Sequence, residues 1–415
     1  MTPIPRPPLS LRERLEEAGA ALALLPGLSL LAGPASRALG GLEDAFLLAR
    51  HRAIHGPGFF PCPVEVPRPR PGAPRVAHYI GNLATGGSAR LVADLVTGLG
   101  EDFSQEIATW QLPRPLHYPG LPARSLRATR RPGEILDWLR EFAPDLVHVH
   151  YWDAPGDRAW YQAVLAAAGA WGAPVIQNVN VPCPPLVHPA VSQTVYVSGW
   201  ARAAHDTGAV PSRVIHPGTD LGRFAPLPGD GDAVGMIYRL DRDKLSPRSI
   251  DPLLRLAKTR PGTRFIVAGS GPLSRTFQRQ ATRSGGRFLF PGTVPFLSLP
   301  ELYAQMAVFT APVFSESFGS TAVYAMAMGI PVAGYATGAL PEVVGHTETL
   351  APPGDAESLA KLLASLLDDP ESRRRQGAKA AARARELFSL PVMLDAYRKL
   401  YGELLDGGFR YKEGG

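Results

Sequence analysis

A chain of 415 residues is longer than one typical folding unit and predicts two domains with additional segments. Hydrophobic residues make up 45% and charged residues 19% of the sequence, as in globular proteins, and two cysteines are too few for a disulfide framework, which fits a cytoplasmic location. The formal net charge of +6 is spread along the chain, which favours anionic small molecules or an anionic membrane surface over nucleic acid as partners.

Residues 1–74 differ in composition from the rest of the chain. Ser10 and Glu13 have the spacing of a capping box and predict a first helix, and a second helical segment over roughly 35–55 precedes a proline-rich connector. These helices could pack on the main body, form a homodimer contact or lie on a membrane. Neither has the strongly basic amphipathic pattern of an interfacial helix, which favours packing; membrane association is not indicated.

From Arg75 onward, short apolar strands alternate with amphipathic helices, which predicts a parallel sheet with right-handed crossovers. Gly86 and Gly87 follow the first strand and open a helix, where backbone amides can approach a phosphate closely. His148 and His150 lie at the end of a later strand. Without a partner cluster at metal-ligand spacing we expect no metal site, and a hydrogen-bonding role for His150 at the mouth of a cleft is the better interpretation.

A connector rich in proline and glycine, residues 220–232, predicts the hinge to a second domain. Arg239 and Lys244 follow the first strand of that domain. Two cations just past a strand end suit a diphosphate whose negative charge grows as a bond to it breaks. Such residues in a surface loop are more often only solvated, so the pair alone indicates little.

Residues 310–332 predict a strand, a loop of small residues and a helix that opens near Thr321. The first amides of a helix lack intrahelical partners and face ligands at the carboxyl edge of a parallel sheet. Glu316 in the loop cannot neutralise a phosphate, so we expect it to accept hydrogen bonds from hydroxyls. An acid beside free amides suggests a sugar nucleotide, although an ordinary turn with a capping acid explains this stretch equally well.

The same stretch resembles the donor-site signature of retaining glycosyltransferases of the GT-B fold, family 4 (glycosyl transferases group 1), which reads P-S-x-x-E-x-F-G-x-x-x-x-E-A-M-A-x-G-x-P-V. The matching residues are Pro312, Glu316, Phe318, Gly319, Ala325, Met326, Ala327, Gly329, Pro331 and Val332. The second glutamate of the signature falls on Tyr324. The ordered resemblance extends over roughly residues 75–405 and includes Glu342 in the stretch GALPEVV, residues 338–344.

The resemblance implies an α/β protein with two Rossmann-like domains whose parallel sheets face a cleft. In this interpretation residues 1–74 are a helical extension with its connector, and residues 75–225 form the acceptor domain. Residues 226–388 form the nucleotide-sugar donor domain, and residues 389–415 are a helix that crosses back to the first domain.

The resemblance also implies roles for individual residues. Arg239 and Lys244 match a G-R-L-x-x-x-K segment and would stabilise the departing diphosphate, while Glu316 would hold donor sugar hydroxyls. The remaining donor-site positions are Gly86, Gly87, Asn180, Gly269, Val294, Ser317, Phe318, Gly319, Ser320 and Tyr324. The loop with Val294 holds the nucleobase through backbone groups in this family, so a UDP- or GDP-linked sugar is expected without a choice between them.

The expected reaction is transfer of a hexosyl or pentosyl group to an unidentified acceptor with retention, without a metal ion or cofactor. Asn180 stands where the family has a histidine near the C6 hydroxyl of the donor sugar. With Tyr324, this suggests an unusual donor, such as a sugar lacking that hydroxyl. The alternatives are a non-catalytic binding protein of the same fold, a sugar-nucleotide epimerase and a glycosyl phosphorylase.

Overall fold

The computed structural model describes residues 60–113, 116–126, 132–153, 157–228 and 231–407. The helices expected within residues 1–59, with their capping box and possible dimer contact, lie outside the described residues. In the described ranges, the longest helices are too short or too polar to cross a bilayer.

The first domain is built on a parallel sheet of seven strands in the order β3-β2-β1-β4-β5-β6-β7. The strands are β1 (Arg75–Asn82), β2 (Ser104–Gln111), β3 (Ala123–Ser125), β4 (Leu146–Tyr151), β5 (Val175–Val179), β6 (Val191–Tyr196) and β7 (Ser212–Val214). The connecting helices are α1 (Gly87–Gly98), α2 (Pro132–Phe142), α3 (Arg158–Trp171) and α4 (Gly199–His205). The strand order reverses between β1 and β4, which is where open parallel sheets leave a crevice for ligands.

The second domain has a parallel sheet of six strands in the order β10-β9-β8-β11-β12-β13. The strands are β8 (Ala233–Ile237), β9 (Arg264–Ala268), β10 (Arg287–Gly292), β11 (Met306–Ala311), β12 (Val332–Tyr335) and β13 (Leu350–Ala351). The helices are α5 (Asp251–Thr259), α6 (Ser274–Ser284), α7 (Leu299–Tyr303), α8 (Ser320–Ala327), α9 (Leu340–Val344), α10 (Ala356–Asp368) and α11 (Pro370–Leu387). The predicted α/β architecture with two parallel sheets is confirmed.

The sequence explains why these strands are central. Every residue of β4, β5, β8 and β11 is buried, as expected for apolar strands covered by helices on both faces. The edge strand β10 instead alternates between exposed and partly buried residues. Both β8 and β11 contribute to a large apolar core in the second domain.

The last described helix, α12 (Leu390–Asp406), packs on the first domain, although it follows the second domain in sequence. Its buried face includes Tyr397 and Tyr401, which lie in one apolar cluster with Val76 of β1 and Ile176 of β5. This helix therefore brings polar hydroxyl groups into the first domain from the far end of the chain.

Candidate functional site

Loops that follow the carboxyl ends of strands in the two sheets meet between the domains. Ser317, in the loop after β11, donates from Oγ to the carbonyl oxygen of Asn180 at the end of β5 (3.3 Å). Ser198, after β6, donates from Oγ to the carbonyl oxygen of Ser317 (2.6 Å). The candidate site therefore lies at the carboxyl edges of both sheets.

Glu316 and Lys244 form an ion pair at this edge, with Lys244 Nζ donating to Glu316 Oε1 (2.6 Å). The Glu316 side chain is 1% exposed, whereas the Lys244 side chain is 36% exposed. The second carboxylate oxygen, Oε2, is buried and has no hydrogen-bond partner among the described residues. A buried acceptor of this kind needs a donor, and a ligand hydroxyl can supply it.

The glycine before α8 sets the shape of the loop around Glu316. Gly319 has φ 102° and ψ 46°, a left-handed conformation that side-chain-bearing residues rarely adopt. A Cβ at this position would lie 3.5 Å from Glu316 Cγ. Gly319 thus lets the chain turn from the carboxylate into the first turn of α8, where Ser320 and Thr321 have amides without intrahelical partners.

Arg239 is paired with a different carboxylate from Lys244. Its guanidinium forms an ion pair with Asp243, four residues along the same loop, and half of its side chain is exposed. Gly269 explains how this loop is held: a Cβ there would lie 1.8 Å from the carbonyl oxygen of Tyr238, so only glycine allows the approach of the β8 and β9 ends. A diphosphate in the cleft would compete with Asp243 for Arg239.

Tyr324, the departure from the family signature, is part of an aromatic group between the domains. Its ring stacks on Phe224 of the connector, with ring centroids 4.2 Å apart and planes 7° apart, and meets Phe296 edge-on at 6.1 Å. Burial raises the pKa of Tyr324 to about 12, so the hydroxyl is neutral at physiological pH. Arg90 of α1 places its guanidinium 4.5 Å from the centre of the Phe296 ring and so connects the first domain to this group.

Val294 and its neighbours line a hollow between the domains. The lining residues are Phe60, Cys62, Thr85, His117, Tyr118, Thr293, Val294, Pro295 and Phe296. Thr85 precedes Gly86 and Gly87, and both its amide N–H (3.1 Å) and its hydroxyl are bonded to His117 Nδ1. His117 therefore holds the glycine loop, and this role was not predictable from the sequence because Thr85 and His117 are 32 positions apart.

Asn180 and His150 differ in their access to the cleft. Asn180 is 9% exposed, and its side-chain Nδ2 has no hydrogen-bond partner in the described ranges. His150 has no exposed surface, and its Nε2 lies 3.1 Å from Nδ1 of His78. The sequence suggested a hydrogen-bonding role for His150 at the mouth of a cleft, on the acceptor side, but its side chain is buried beside His78 within the first domain.

Three buried histidines, His78, His148 and His150, form the one group within the described ranges whose ligand atoms lie close enough to hold a metal ion, within 4.8 Å of one another. Gln105 donates through Nε2 to Leu95 and Val96 carbonyls, so its Oε1 accepts from His78 Nε2 (2.9 Å). His78 Nδ1 must then accept from His150 Nε2. A metal ion held by all three would have to replace this hydrogen bond.

Glu342, in the stretch GALPEVV, joins the domains. Its carboxylate accepts from the backbone N–H groups of Gly199 and Trp200 at the start of α4, each at 2.9 Å, and from His216 Nε2, also at 2.9 Å. Burial alone would raise the pKa of Glu342, but these hydrogen bonds outweigh it and hold the pKa at about 2. Sequence alone could not reveal this role, because the partners lie more than 120 positions away.

Replacing Glu342 with alanine is expected to destabilise the contact between the domains by about 2 kcal/mol, because two amides and His216 lose a charged acceptor. Urea unfolding measures this loss. Glu348→Ala, which removes an exposed glutamate six residues away, is the control and should change the unfolding free energy by less than about 0.5 kcal/mol. Equal effects of the two changes would rule out the proposed contact.

Comparisons with known proteins agree with this architecture. The sequence profile of the family described as glycosyl transferases group 1 matches residues 223–383. D-inositol 3-phosphate glycosyltransferases of Mycolicibacterium paratuberculosis and Mycobacterium avium are each 30% identical over 305 residues, which is 62% of this chain and 66% and 69% of those proteins. The crystal structure of Anabaena HepE in complex with UDP-glucose has a TM-score of 0.66 at 17% identity and covers 79% of this chain and 99% of its own.

Proposed function

The chain belongs to the glycosyl transferases group 1 family, and we propose that it transfers a sugar from a nucleotide diphosphate sugar to an acceptor with retention at the anomeric carbon and without a metal ion. The observation that carries this proposal is the buried Glu316, whose Oε1 is held by Lys244 at 2.6 Å while Oε2 is left unpaired. This pair provides an acceptor for sugar hydroxyls and a cation for the diphosphate in one place.

In the proposed reaction, the bond between the anomeric carbon and the diphosphate oxygen breaks while the acceptor oxygen bonds to the same face of that carbon. Lys244 stabilises the negative charge that develops on the diphosphate, and Arg239 does so once it is released from Asp243. Amides at the start of α8 add to this stabilisation. The acceptor proton passes to an oxygen of the leaving diphosphate, so no protein base is required.

The relatives give the first substrates to try. The two mycobacterial proteins are named for transfer to D-inositol 3-phosphate, and the Anabaena structure contains UDP-glucose. We therefore propose UDP-sugars as the first donors and phosphorylated polyols as the first acceptors. A phosphorylated acceptor would also suit the positive net charge of this chain.

One observation favours the rival proposal of a non-catalytic binding protein. Tyr324 replaces a carboxylate that could accept two hydrogen bonds from a ribose diol, and its ring is already stacked on Phe224. The retained Lys244–Glu316 pair argues against this rival, because a scaffold needs neither a buried carboxylate nor its unpaired oxygen.

A thermal-shift panel tests the choice between an enzyme and a scaffold. One of UDP, GDP and ADP, at a concentration a hundred times its Kd, should stabilise the protein by about 2.7 kcal/mol. Arg239→Ala should reduce this stabilisation because a cation near the diphosphate is lost. Arg242→Ala removes an exposed arginine of the same loop and should leave the shift unchanged. No shift with any nucleotide would favour the non-catalytic protein.

A further inference from the structure

Three polar side chains form a chain of hydrogen bonds from α12 to the candidate site. Tyr397 Oη donates to Asn178 Oδ1 (2.6 Å), and Asn178 Nδ2 donates to Asn180 Oδ1 (2.7 Å). Tyr397 and Asn178 have no exposed surface, and Asn180 is 9% exposed. The chain therefore links a residue near the end of the sequence to the end of β5.

Tyr397 determines which group donates and which accepts in each of these hydrogen bonds. Asn178 and Asn180 could also form a hydrogen bond if the oxygen and the NH2 group of each side-chain amide changed places, since one is an acceptor and the other a donor. In the flipped arrangement Asn178 would donate to Tyr397, and the buried hydroxyl proton would have no acceptor among the described residues. An unpaired buried donor is unfavourable, so the hydroxyl selects the arrangement in which it donates.

This direction fixes which end of the Asn180 amide is available to a ligand. With Oδ1 bonded to Asn178, the NH2 group remains, and it is buried without a partner in the part of the chain that is described. The backbone of Asn180 is bonded to Ser317, next to Glu316. A ligand in this site therefore meets a hydrogen-bond donor at Asn180 and an acceptor at Glu316 Oε2.

We propose that Tyr397 and Asn178 are positioning residues of the donor site, and that Asn180 presents its NH2 group to an acceptor oxygen of the transferred sugar. This inference rests on the proposed glycosyltransferase function. It disfavours the donor suggested by the sequence, a sugar without an oxygen at that position, because such a sugar would leave the NH2 group unpaired.

The test compares two tyrosines of the same helix. Tyr397→Phe removes the hydroxyl that directs the chain, whereas Tyr401→Phe removes an equally buried hydroxyl that is bonded to His148 Nδ1 (2.7 Å). Calorimetric titrations with UDP-glucose and with UDP distinguish the contribution of the sugar from that of the nucleotide. If the thermal-shift panel shows binding of GDP or ADP instead of UDP, that nucleotide and its glucose derivative are used.

Tyr397→Phe is expected to raise the Kd for the nucleotide sugar about tenfold. The Kd for the nucleoside diphosphate should stay within twofold of the wild-type value. Tyr401→Phe should leave both within twofold. In an Asn180→Ala background, Tyr397→Phe should have no further effect, because the amide that it orients is gone.

The opposite results separate the two proposals. If Tyr397→Phe behaves like Tyr401→Phe, or weakens nucleotide and nucleotide sugar equally, the positioning role is overturned while the proposed function stands. If the wild-type protein binds none of the nucleotides or nucleotide sugars, the proposed function fails and this inference fails with it.

Discussion

Glu316→Gln is expected to lower kcat/KM for sugar transfer by about 10- to 150-fold, the equivalent of a lost hydrogen bond to a charged group of about 1.5–3 kcal/mol. The reason is that the substitution replaces a hydrogen-bond acceptor in the site with a donor. Lys244 is a donor only, so it will keep the glutamine oxygen, and the NH2 group will replace the unpaired Oε2. A sugar hydroxyl that donated to the carboxylate then faces another donor.

Glu348→Gln is the matched control, because it makes the same chemical change at an exposed position of the same domain. Its kcat/KM should remain within twofold of the wild-type value. Thermal unfolding of both variants shows whether they are folded. If Glu316→Gln is folded and its kcat/KM is within threefold of the wild-type value, Glu316 does not bind the donor sugar.

The second large effect is loss of stability in mild acid. Burial lowers the pKa of His78 from 6.5 to about 4, and burial also lowers the pKa values of His148 and His150 well below 6.5. In the unfolded chain these histidines bind protons below pH 6.5, whereas in the folded protein they remain neutral. Stability is therefore greatest above pH 6.5 and falls with pH toward 4, by about 2 kcal/mol at pH 5 from His78 alone.

Urea unfolding at pH 7.5 and pH 5.0 measures this effect. His78→Gln should reduce the loss of stability between the two pH values, whatever its effect at pH 7.5, because one proton-binding site is removed from the unfolded chain. His188→Gln, at a partly exposed histidine of the same domain, is the control and is measured at the same two pH values. Glu342 does not interfere, since its stabilisation is lost only below pH 4.5. An unchanged pH dependence in His78→Gln would show that burial of neutral His78 does not cause the loss of stability in acid.

The sequence predicted the features that depend on local pattern. Apolar runs alternating with amphipathic helices gave both parallel sheets, and Glu316 was placed correctly in a loop between a strand and a helix. Lys244 and Glu316 are 72 positions apart, and the sequence assigned both to the same edge of one sheet. Their direct ion pair is a further detail that only the structure provides.

Features that depend on contacts between distant segments were not predictable. His78 joins His148 because β1 and β4 are neighbours in the sheet, with these two residues in register. Tyr324 was recognised as unusual, but its stacking partner Phe224 comes from the connector 100 positions earlier. In both cases the sequence identified one residue, and tertiary packing supplied the other.

The hydrogen bonds that connect Tyr397, Asn178 and Asn180 are a further case of contacts that the sequence could not predict. The interaction of Tyr397 with Asn178 spans 219 positions and depends on α12 returning to the first domain. The resemblance suggested such a helix, but it did not indicate that a tyrosine on this helix would donate a hydrogen bond to Asn178.

The most direct test of the proposed donor site at Glu316 and Lys244 measures release of nucleoside diphosphate from UDP-, GDP- and ADP-glucose, with D-inositol 3-phosphate as the first acceptor, followed by NMR of the product. We expect the wild-type protein to release one nucleoside diphosphate, the product to keep the anomeric configuration of the donor, and Glu316→Gln to be at least tenfold slower. An inverted product would exclude the retaining reaction, and equal rates for the wild type and Glu316→Gln would exclude a role of Glu316 in it.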